Sequence, residues 1–508
     1  MTYEVVVVGG GIGGLTVAAL LAARGVRVCL LEREAQAGGC AAPFGKSGYT
    51  FESTASLYAG WRPGEIHERV FAELPVNAPE ARPLRPAYVV RLPDQTEVAL
   101  SEDEQEFEAT LRAGFPECAT AATDFYREIA PIGAALMRAA ARIPDLPTAS
   151  GLRRLRAIAP EARIAPRIFA AMNHTTARYL ANTSPRFRRF IDAQLQIFAQ
   201  CPSEECAYLY AAVALSLPRL GMHALRGGAA SLTDSLIASI KASGGTVRLN
   251  APALRLAYDA SGRALGVDLL TGERVAATRA IVSNLTVWDT YGKLVGMSRT
   301  PEDVRRRLKV LSGRGAYLLY LGMEEAAAAQ LPADHLLLLT AEDEQEKQEK
   351  QEEQTPGLEG AQLMFSSAPA WDARAPASRR AVTVSAFTEA APWFAYHEDE
   401  AQHEAQDQQM LESCWRRLHA SVPELGDRIE VIETATPRTY YEQTRRKLGM
   451  VGGLGQSLAV FGPNSWTHRT PVPNLFLVGD SVFPGQGVAA VTHSALIVAN
   501  ELAPPVRR

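Results

Sequence analysis

The first thirty residues of the chain predict a strand, a turn, a helix and a second strand. Four consecutive valines, Val5 to Val8, are apolar at every position, which is typical of a parallel strand buried on both faces. An Ala- and Leu-rich run that ends at Arg24 predicts a helix, and the apolar run from Val26 to Leu31 predicts the second strand. This order indicates a protein of the α/β class.

The turn between the first strand and the helix consists mainly of glycine. Gly9, Gly11 and Gly14 fill the three positions of G-x-G-x-x-G, which give a tight turn, close approach of a pyrophosphate and close helix packing. Ile12 and Gly13 lie where the helix begins, and a helix N-terminus favours phosphate through its free N–H groups and its dipole. The sequence therefore predicts a dinucleotide site, and this motif alone does not distinguish NAD from FAD.

An acid and a second glycine pair follow the second predicted strand. Glu32 is placed to accept hydrogen bonds from a ribose, and its negative charge disfavours the 2′-phosphate of NADP. Arg33 comes next in the chain. Gly38 and Gly39 then let a further backbone segment pass close to the dinucleotide. We therefore include these four residues in the predicted cofactor site.

The C-terminal segment decides between the two cofactors. Residues 473–481 predict a strand that ends in Gly479 and Asp480, and Gly487 and Val488 open a predicted helix. In Rossmann flavoproteins, an Asp after such a strand holds the ribityl and pyrophosphate region, and the next helix directs its positive end at the flavin. Nicotinamide carries no ribityl chain. The pairing of the two chain ends therefore predicts FAD.

A basic stretch lies in the middle of the chain. Nine arginines and one acid, Glu161, are found between Leu152 and Arg189, interleaved with leucine, isoleucine and phenylalanine. Such an amphipathic segment can lie on an anionic membrane surface, and it is equally typical of a solvated helical face. Both interpretations stay open from the sequence.

Composition limits the classes of function. The 508 residues carry a formal net charge of -4, which gives no reason to expect nucleic acid as a partner. The six cysteines form no C-x-x-C pair and have no His at metal-ligand spacing, so we expect free thiols and no metal site. The first strand leaves no room for a signal peptide, and no uncharged run reaches the ~20 residues that span a bilayer. We therefore expect a cytoplasmic protein, at most peripheral on the inner face of the cell membrane.

Longer segments resemble one superfamily of flavoproteins. Glu32, Gly38 and Gly39, followed by Gly-Tyr-Thr-Phe-Glu at 48–52, resemble the phytoene desaturase and carotene isomerase superfamily. Within it, the chain most resembles the carotenoid 3′,4′-desaturases. The segments that carry this similarity are residues 64–71, 192–196, 201–212, 436–439, 449–456, 461–463 and 468–471.

The resemblance implies a Rossmann-type (GR2-like) FAD-binding domain with an inserted α+β substrate-binding domain. The first domain comprises residues 1–75, 218–300 and 431–508, and the second comprises 76–217 and 301–430. Residues 342–354 form a charged low-complexity run, which cannot bury apolar surface and is predicted to be a solvated or disordered insert without a catalytic role. By resemblance, Leu254 lies against the adenine through its backbone, and plain core packing is the alternative.

The resemblance also implies the chemistry. Desaturation removes two hydrogens from a C–C bond beside a polyene. Flavin accepts a hydride, and the conjugated chain delocalises the resulting cation, so that a weak base or water suffices for the proton. No catalytic residue is therefore assigned. Possible proton acceptors, each more typical of a structural or surface group, are Glu52, His174, Asp192, Glu204 and Glu205.

Two further patterns concern the substrate. The apolar blocks 195–198 and 209–215 could line a tunnel for a carotenoid, and ordinary core packing explains them equally well. The alternation of Asp192, Gln194 and Gln196 could hydrogen-bond a hydroxylated end group, or could be an exposed strand or helix edge.

Four functions remain after these arguments. The first is a desaturase that introduces the 3′,4′ double bond into a monocyclic or acyclic carotenoid, such as a 1′-hydroxy derivative, with oxygen or a quinone as electron acceptor. The second is a cis-trans isomerase that uses reduced FAD, since the form of residues 484–487 is typical of carotene isomerases. An amine oxidase is disfavoured because no aromatic pair for an amine cage is recognisable. The fourth is a non-catalytic carotenoid-binding protein recruited to a membrane.

Overall fold

The computed structural model describes residues 2–146, 149–340, 362–395 and 399–505 of the chain. The charged run predicted at 342–354 lies outside the described residues. The strands, numbered in chain order, are β1 (Thr2–Val8), β2 (Val28–Leu31), β3 (Phe44–Lys46), β4 (Tyr49–Phe51), β5 (Ala81–Leu84), β6 (Val89–Arg91), β7 (Glu97–Ala99), β8 (Met222–Leu225), β9 (Thr246–Arg248), β10 (Ala253–Tyr258), β11 (Ala264–Leu269), β12 (Arg274–Ser283), β13 (Gly315–Glu324), β14 (His335–Leu339), β15 (Gln362–Ser367), β16 (Arg379–Thr388), β17 (Ile429–Ala435) and β18 (Leu475–Leu477).

The α-helices of the described residues are numbered in the same way. They are α1 (Ile12–Ala23), α2 (Ile66–Phe71), α3 (Glu104–Gly114), α4 (Ala119–Arg142), α5 (Gly151–Ile158), α6 (Ala165–Ala171), α7 (Pro185–Ala199), α8 (Tyr208–Ala214), α9 (Leu217–Leu220), α10 (Gly228–Ala242), α11 (Val287–Asp289), α12 (Glu302–Lys309), α13 (Glu325–Ala328), α14 (Glu400–Ser421), α15 (Pro437–Thr444) and α16 (Val488–Leu502). In these described segments, no helix combines the length and the apolar character that crossing a bilayer requires.

The first sheet is built around β1. Its valines are buried because β1 pairs in parallel with β2 on one side and with β12 on the other. β9 extends this parallel sheet beyond β2, and β18 pairs with the second half of β12. The hairpin of β10 and β11 adds an antiparallel edge. Helices α1, α10 and α16 bury one face in a shared apolar cluster. The predicted α/β class and Rossmann-type sheet are confirmed.

The second sheet is mixed and mostly antiparallel. Its strand order is β17-β13-β16-β15-β14-β6-β7, and only β14 and β6 among these neighbours run parallel. Helix α14 covers one face through Met410, Cys414 and Leu418, while α3, α4, α7 and α8 form a large apolar cluster with the other. The helices and strands of this part agree with an α+β region.

One predicted boundary is wrong by a few residues. The division at residue 431 falls inside β17, which pairs with β13 of the second sheet from Ile429 to Ala435. Residues of β17 are partly exposed and several are polar, so the strand lacks the apolar pattern that would assign it to that sheet. The division of the chain into two domains otherwise stays a prediction.

Candidate cofactor site

The glycine turn after β1 lies at the carboxyl end of the first sheet. Gly9 has a φ of 99°, and its N–H donates to the Leu31 carbonyl oxygen at 2.8 Å. Helix α1 begins at Ile12, so the first N–H groups of the helix, which have no intrahelical partners, lie beside this turn. A Cβ at Gly14 would lie only 2.1 Å from the carbonyl oxygen of Gly9. Gly14 therefore allows α1 to pack directly against the turn.

Glu32 follows β2 and is buried against the same turn. Its carboxylate accepts hydrogen bonds from the Gly10 N–H at 2.6 Å and from the Glu34 N–H at 2.9 Å. Burial raises the pKa of the Glu32 carboxyl, and these N–H groups oppose the shift. Arg33 forms an ion pair with Glu34 at 2.8 Å. The Glu32 carboxylate is therefore held in one orientation at the edge of the glycine turn.

The second glycine pair comes back to the first. The Gly38 N–H donates to the Gly10 carbonyl oxygen at 2.9 Å, and Gly38 forms a bridge with Gly11. Gly38 and Gly39 have φ values of 131° and 59°, which lie in the region that favours glycine. A Cβ at Gly39 would lie 3.4 Å from Gly11 Cα. The two glycine segments therefore run side by side.

The C-terminal segment meets this site from the other side. Gly479, with a φ of 106°, follows β18 and lies beside Gly13, where an added Cβ would be 3.3 Å from Gly479 Cα. The Gly479 N–H donates to the Ser494 hydroxyl at 3.1 Å, which ties the turn to α16. Gly487, with a φ of 95°, precedes Val488, the first residue of α16. The two ends of the chain are therefore neighbours in space.

One cavity of about 1270 Å³ connects these elements. Of the predicted site residues, all except Gly14 line it, and Gly14 lies behind Gly9. The lining residues among them are Gly9, Gly11, Ile12, Gly13, Glu32, Arg33, Gly38, Gly39, Leu254, Gly479, Asp480, Gly487 and Val488. Leu254 is 46% exposed at the rim of the cavity. The alternative that Leu254 is plain core is therefore wrong.

The cavity also has lining residues that sequence reasoning missed. Asn284 follows β12 and lies between Gly11 and Gly479, and its Nδ2 is 3.5 Å from the Gly9 carbonyl oxygen. Arg446 follows α15, and its Nη2 donates to Asp480 Oδ2 at 2.8 Å. The position of Asn284 directly after a predicted strand was the available signal. No local pattern marks Arg446.

The possible proton acceptors do not line this cavity. Glu52 is buried and accepts hydrogen bonds from Arg374, Tyr58 and the Ala229 N–H. The other four are placed as follows: His174 Nδ1 bonds to the Tyr179 hydroxyl at 2.9 Å, Asp192 accepts from the Ser203 N–H at 2.7 Å, and Glu204 and Glu205 are exposed. The structure therefore gives none of them access to the cavity.

The proposed substrate patterns lie on helices within the protein core. Gln194 has no exposed surface, and its side chain bonds to Tyr88, Tyr126 and the Phe190 carbonyl oxygen. The alternation at 192–196 falls on α7, where residues two apart point in different directions. Most apolar residues of the blocks 195–198 and 209–215 belong to the largest apolar cluster or pack against it. These residues pack as core in this structure, and residues 192–196 are buried or half-buried and form no exposed edge.

The basic stretch exposes apolar side chains. Leu152 and Leu155 on α5 are 60% and 59% exposed, and Phe169 on α6 is 54% exposed. Among the charged residues nearby, Glu161 is engaged by Arg138 and Arg142, at 2.6 Å and 2.7 Å. Arginine and apolar side chains therefore share this face of the protein.

A family model for flavin-containing amine oxidoreductases matches residues 12–503, which is nearly the whole chain. The chain belongs to this family. Solved structures of the same architecture include an oxidoreductase from Methanosarcina mazei, with a TM-score of 0.61 and 16% identity over 98% of this chain and 99% of that chain. A putrescine oxidase has a TM-score of 0.63 and 15% identity over 99% of both chains. At these identities the two structures establish the fold alone.

Two relatives that match nearly the whole chain are named for reactions of retinol and prolycopene. An all-trans-retinol 13,14-reductase from Rattus norvegicus is 26% identical over 528 residues, which covers 98% of this chain and 85% of that protein. A prolycopene isomerase from Arabidopsis thaliana is 26% identical over 517 residues, which covers 99% of this chain and 82% of that protein. These similarities support the predicted superfamily.

The cavity fits the cofactor of the family. Its wall at the glycine turn is backbone, because residues 9–11 are glycines. A Cβ at Gly11 would lie 2.8 Å from Asn284 Nδ2, so a side chain there would displace Asn284. Glu32 lies on the lining, and the N-termini of α1 and α16 both adjoin the cavity. The cofactor is FAD.

Proposed function

We propose that this protein is an FAD-dependent carotenoid desaturase, which introduces the 3′,4′ double bond into a monocyclic or acyclic, 1′-hydroxylated carotenoid. The observation that carries the proposal is that each carboxylate on the lining of the cavity already has a partner. The pairs are Glu32 with two backbone N–H groups, Glu34 with Arg33, Asp289 with Lys293, and Asp480 with Arg446. The described lining therefore offers no unpaired carboxylate as a general base, which suits hydride transfer from a C–H bond beside the polyene, with loss of the proton on the neighbouring carbon to water.

In this mechanism, the residues of the chain bind the cofactor and orient the substrate. Bound FAD supplies a hydride acceptor. In the proposal, Glu32 binds the ribose, the N-terminus of α1 faces the pyrophosphate, and Asp480 holds the ribityl chain. In the proposal, the apolar substrate would enter the same cavity and displace water from it. Oxygen or a quinone reoxidises the cofactor.

A second candidate function is cis-trans isomerisation of a carotenoid with reduced FAD. It is supported by the form of residues 484–487 and by the similarity to prolycopene isomerases over 99% of the chain. Both candidates use one polyene substrate and one cofactor site. They differ in whether hydrogen leaves the substrate.

The experiment that tests the proposal is expression in bacteria that make lycopene or a 1′-hydroxylated monocyclic carotenoid, followed by mass analysis of the pigments. Desaturation predicts a product lighter by two mass units, with absorption shifted to longer wavelength. An unchanged mass with a new isomer would favour the isomerase, and a gain of two mass units would contradict both. The matched control is Gly11→Val, in which a side chain would occupy the pyrophosphate position.

We also propose that the face formed by Leu152, Leu155 and Phe169 rests on the cytoplasmic surface of the membrane, which supplies the apolar substrate. Exposed leucine and phenylalanine beside arginine suit an anionic lipid surface. Flotation with anionic vesicles tests this, with uncharged vesicles for comparison. The Leu152→Ser, Leu155→Ser double variant should lose vesicle binding and keep bound FAD, and equal flotation of variant and parent would contradict the proposal.

A further inference from the structure

Arg446 places a largely buried cation in the cavity. It follows α15, and Arg445 before it has a left-handed backbone with a φ of 53°, which ends the helix and redirects the chain. The side chain of Arg446 is 17% exposed, and it lines the cavity together with Asp480 and Gly452. Arg446 therefore adjoins the segment that follows β18.

One nitrogen of the Arg446 guanidinium makes two hydrogen bonds. Nη2 donates to Asp480 Oδ2 at 2.8 Å and to the Gly452 carbonyl oxygen at 2.5 Å. Nε is enclosed by protein, so a ligand in the cavity can meet only the rest of the side chain. A guanidinium that is partly exposed on a cavity lining is placed to bind a negatively charged ligand.

The charge of Arg446 is permanent. Burial disfavours its cationic form, but the neighbouring Asp480 carboxylate more than offsets this and raises the pKa of Arg446. The guanidinium also adjoins Cys40, which follows the second glycine pair. A cation at this position neutralises Asp480, which would otherwise repel a nearby phosphate.

The other cations on the lining have different surroundings. They lie at its edges or contact neighbouring side chains: Arg33 pairs with Glu34 at 2.8 Å, Lys293 pairs with Asp289 at 2.8 Å, and Arg445 lies over the Tyr441 ring at 5.0 Å. Arg446 combines a guanidinium held by Asp480 and Gly452 with a place on the cavity lining, next to the acid that follows β18. FAD carries two negative charges on its pyrophosphate, and the dipole of α1 supplies only about half a positive charge.

We propose that Arg446 is a cofactor-binding residue, which donates a terminal guanidinium N–H to an oxygen of the ribityl-pyrophosphate portion of FAD while Nη2 holds Asp480. This inference rests on FAD as the cofactor and is independent of which polyene reaction the protein catalyses. A negative result therefore leaves the proposed reaction unaffected, and a wrong reaction leaves this proposal standing.

The test measures FAD affinity and not turnover. Flavin is removed from the whole chain, and the Kd for FAD is obtained from flavin fluorescence for the parent protein and its variants. Arg446→Met should raise the Kd about 10- to 100-fold, because a charge-assisted hydrogen bond is lost. Arg446→Lys keeps the charge and loses the planar guanidinium donors, so its Kd should fall between those of the parent and of Arg446→Met. Lys447→Met removes an exposed neighbouring charge that does not line the cavity, and should stay within about twofold.

A second comparison separates a direct contact from an effect through Asp480. Arg446→Met should weaken FAD binding further when it is added to Asp480→Asn. Equal Kd values for Asp480→Asn and for the double variant would overturn the proposal, since Arg446 would then act only by placing Asp480. A Kd within twofold of the parent for Arg446→Met would overturn it as well. If circular dichroism shows that Arg446→Met does not fold, the same comparison of Kd values is made with Arg446→Lys, in the parent protein and in Asp480→Asn.

Discussion

Arg374 joins two buried carboxylates at the boundary between the sheets, and its removal gives the sharpest test of the packing. Its Nη1 donates to Glu52 Oε2 at 2.7 Å, and its Nε lies 2.8 Å from Asp372 Oδ2. The side chains of all three residues are at most 7% exposed. Glu52 also binds the N-terminus of α10 through the Ala229 N–H at 2.8 Å. This cluster therefore connects β4, α10 and the segment before β16.

Arg374→Met should lower the free energy of unfolding by about 3–5 kcal/mol at pH 7, because it leaves two buried carboxylates without their cation. Urea denaturation of the FAD-saturated protein, followed by tryptophan fluorescence, measures the change. The control is Arg127→Met, which removes a surface ion pair with Glu108 at 2.7 Å whose arginine is 54% exposed. We expect that control to lose no more than about 1 kcal/mol.

The pH dependence has a definite sign. Burial favours the neutral form of Glu52, but Arg374 and the hydrogen bonds outweigh burial and lower the pKa of this carboxyl. The stabilisation is therefore present above the unfolded pKa of about 4.3 and is lost as the pH falls through the lower folded pKa. Without Arg374, burial should raise the pKa of Glu52. The difference between parent and variant should shrink in acid, and a loss below about 1 kcal/mol, or one that is constant with pH, would refute this reasoning.

Two further predictions concern single positions. Gly14→Ala should reduce bound flavin and lower the free energy of unfolding by about 1–3 kcal/mol, because its Cβ would lie 2.1 Å from the Gly9 carbonyl oxygen. The control Gly151→Ala has open space around the added Cβ and should change neither quantity. Similar flavin contents and similar urea denaturation curves for the two variants would contradict this prediction. Burial lowers the pKa of both His468 and His493 to about 4, so the unfolded state binds more protons between that pH and 6.5, and stability should fall as the pH drops through this range. His493→Gln should flatten the decline in unfolding free energy, and an identical pH profile for the variant would count against the assignment.

The parts of the fold that the sequence predicts are those encoded by local patterns. Val5 to Val8 and the glycine turn specify a buried strand and a helix start within a few residues, and Gly479 and Asp480 end a second apolar run in the same way. Parallel strands place their carboxyl ends on one edge of a sheet. The meeting of the two chain ends could therefore be inferred without coordinates.

The remaining features depend on contacts between distant segments. Arg446 reaches Asp480 because a left-handed residue ends α15, and neither its charge nor its spacing indicates a cavity. The polar alternation that includes Gln194 has a period of two, yet it falls on a helix whose other face is apolar. β17 carries too few apolar residues to be recognised as part of the second sheet. In each case tertiary packing decided the outcome, and no local pattern did.

The measurement that tests the central claim most directly is the flavin content of the purified protein. Both chain ends contribute to one FAD site in this account, so the parent protein should be yellow and should hold about one FAD per chain. Asp480→Ala, which changes only the C-terminal end, should fold and lose much of the bound flavin, as should Gly11→Val at the N-terminal end. A protein that is colourless, and stays colourless after incubation with FAD, would contradict the account.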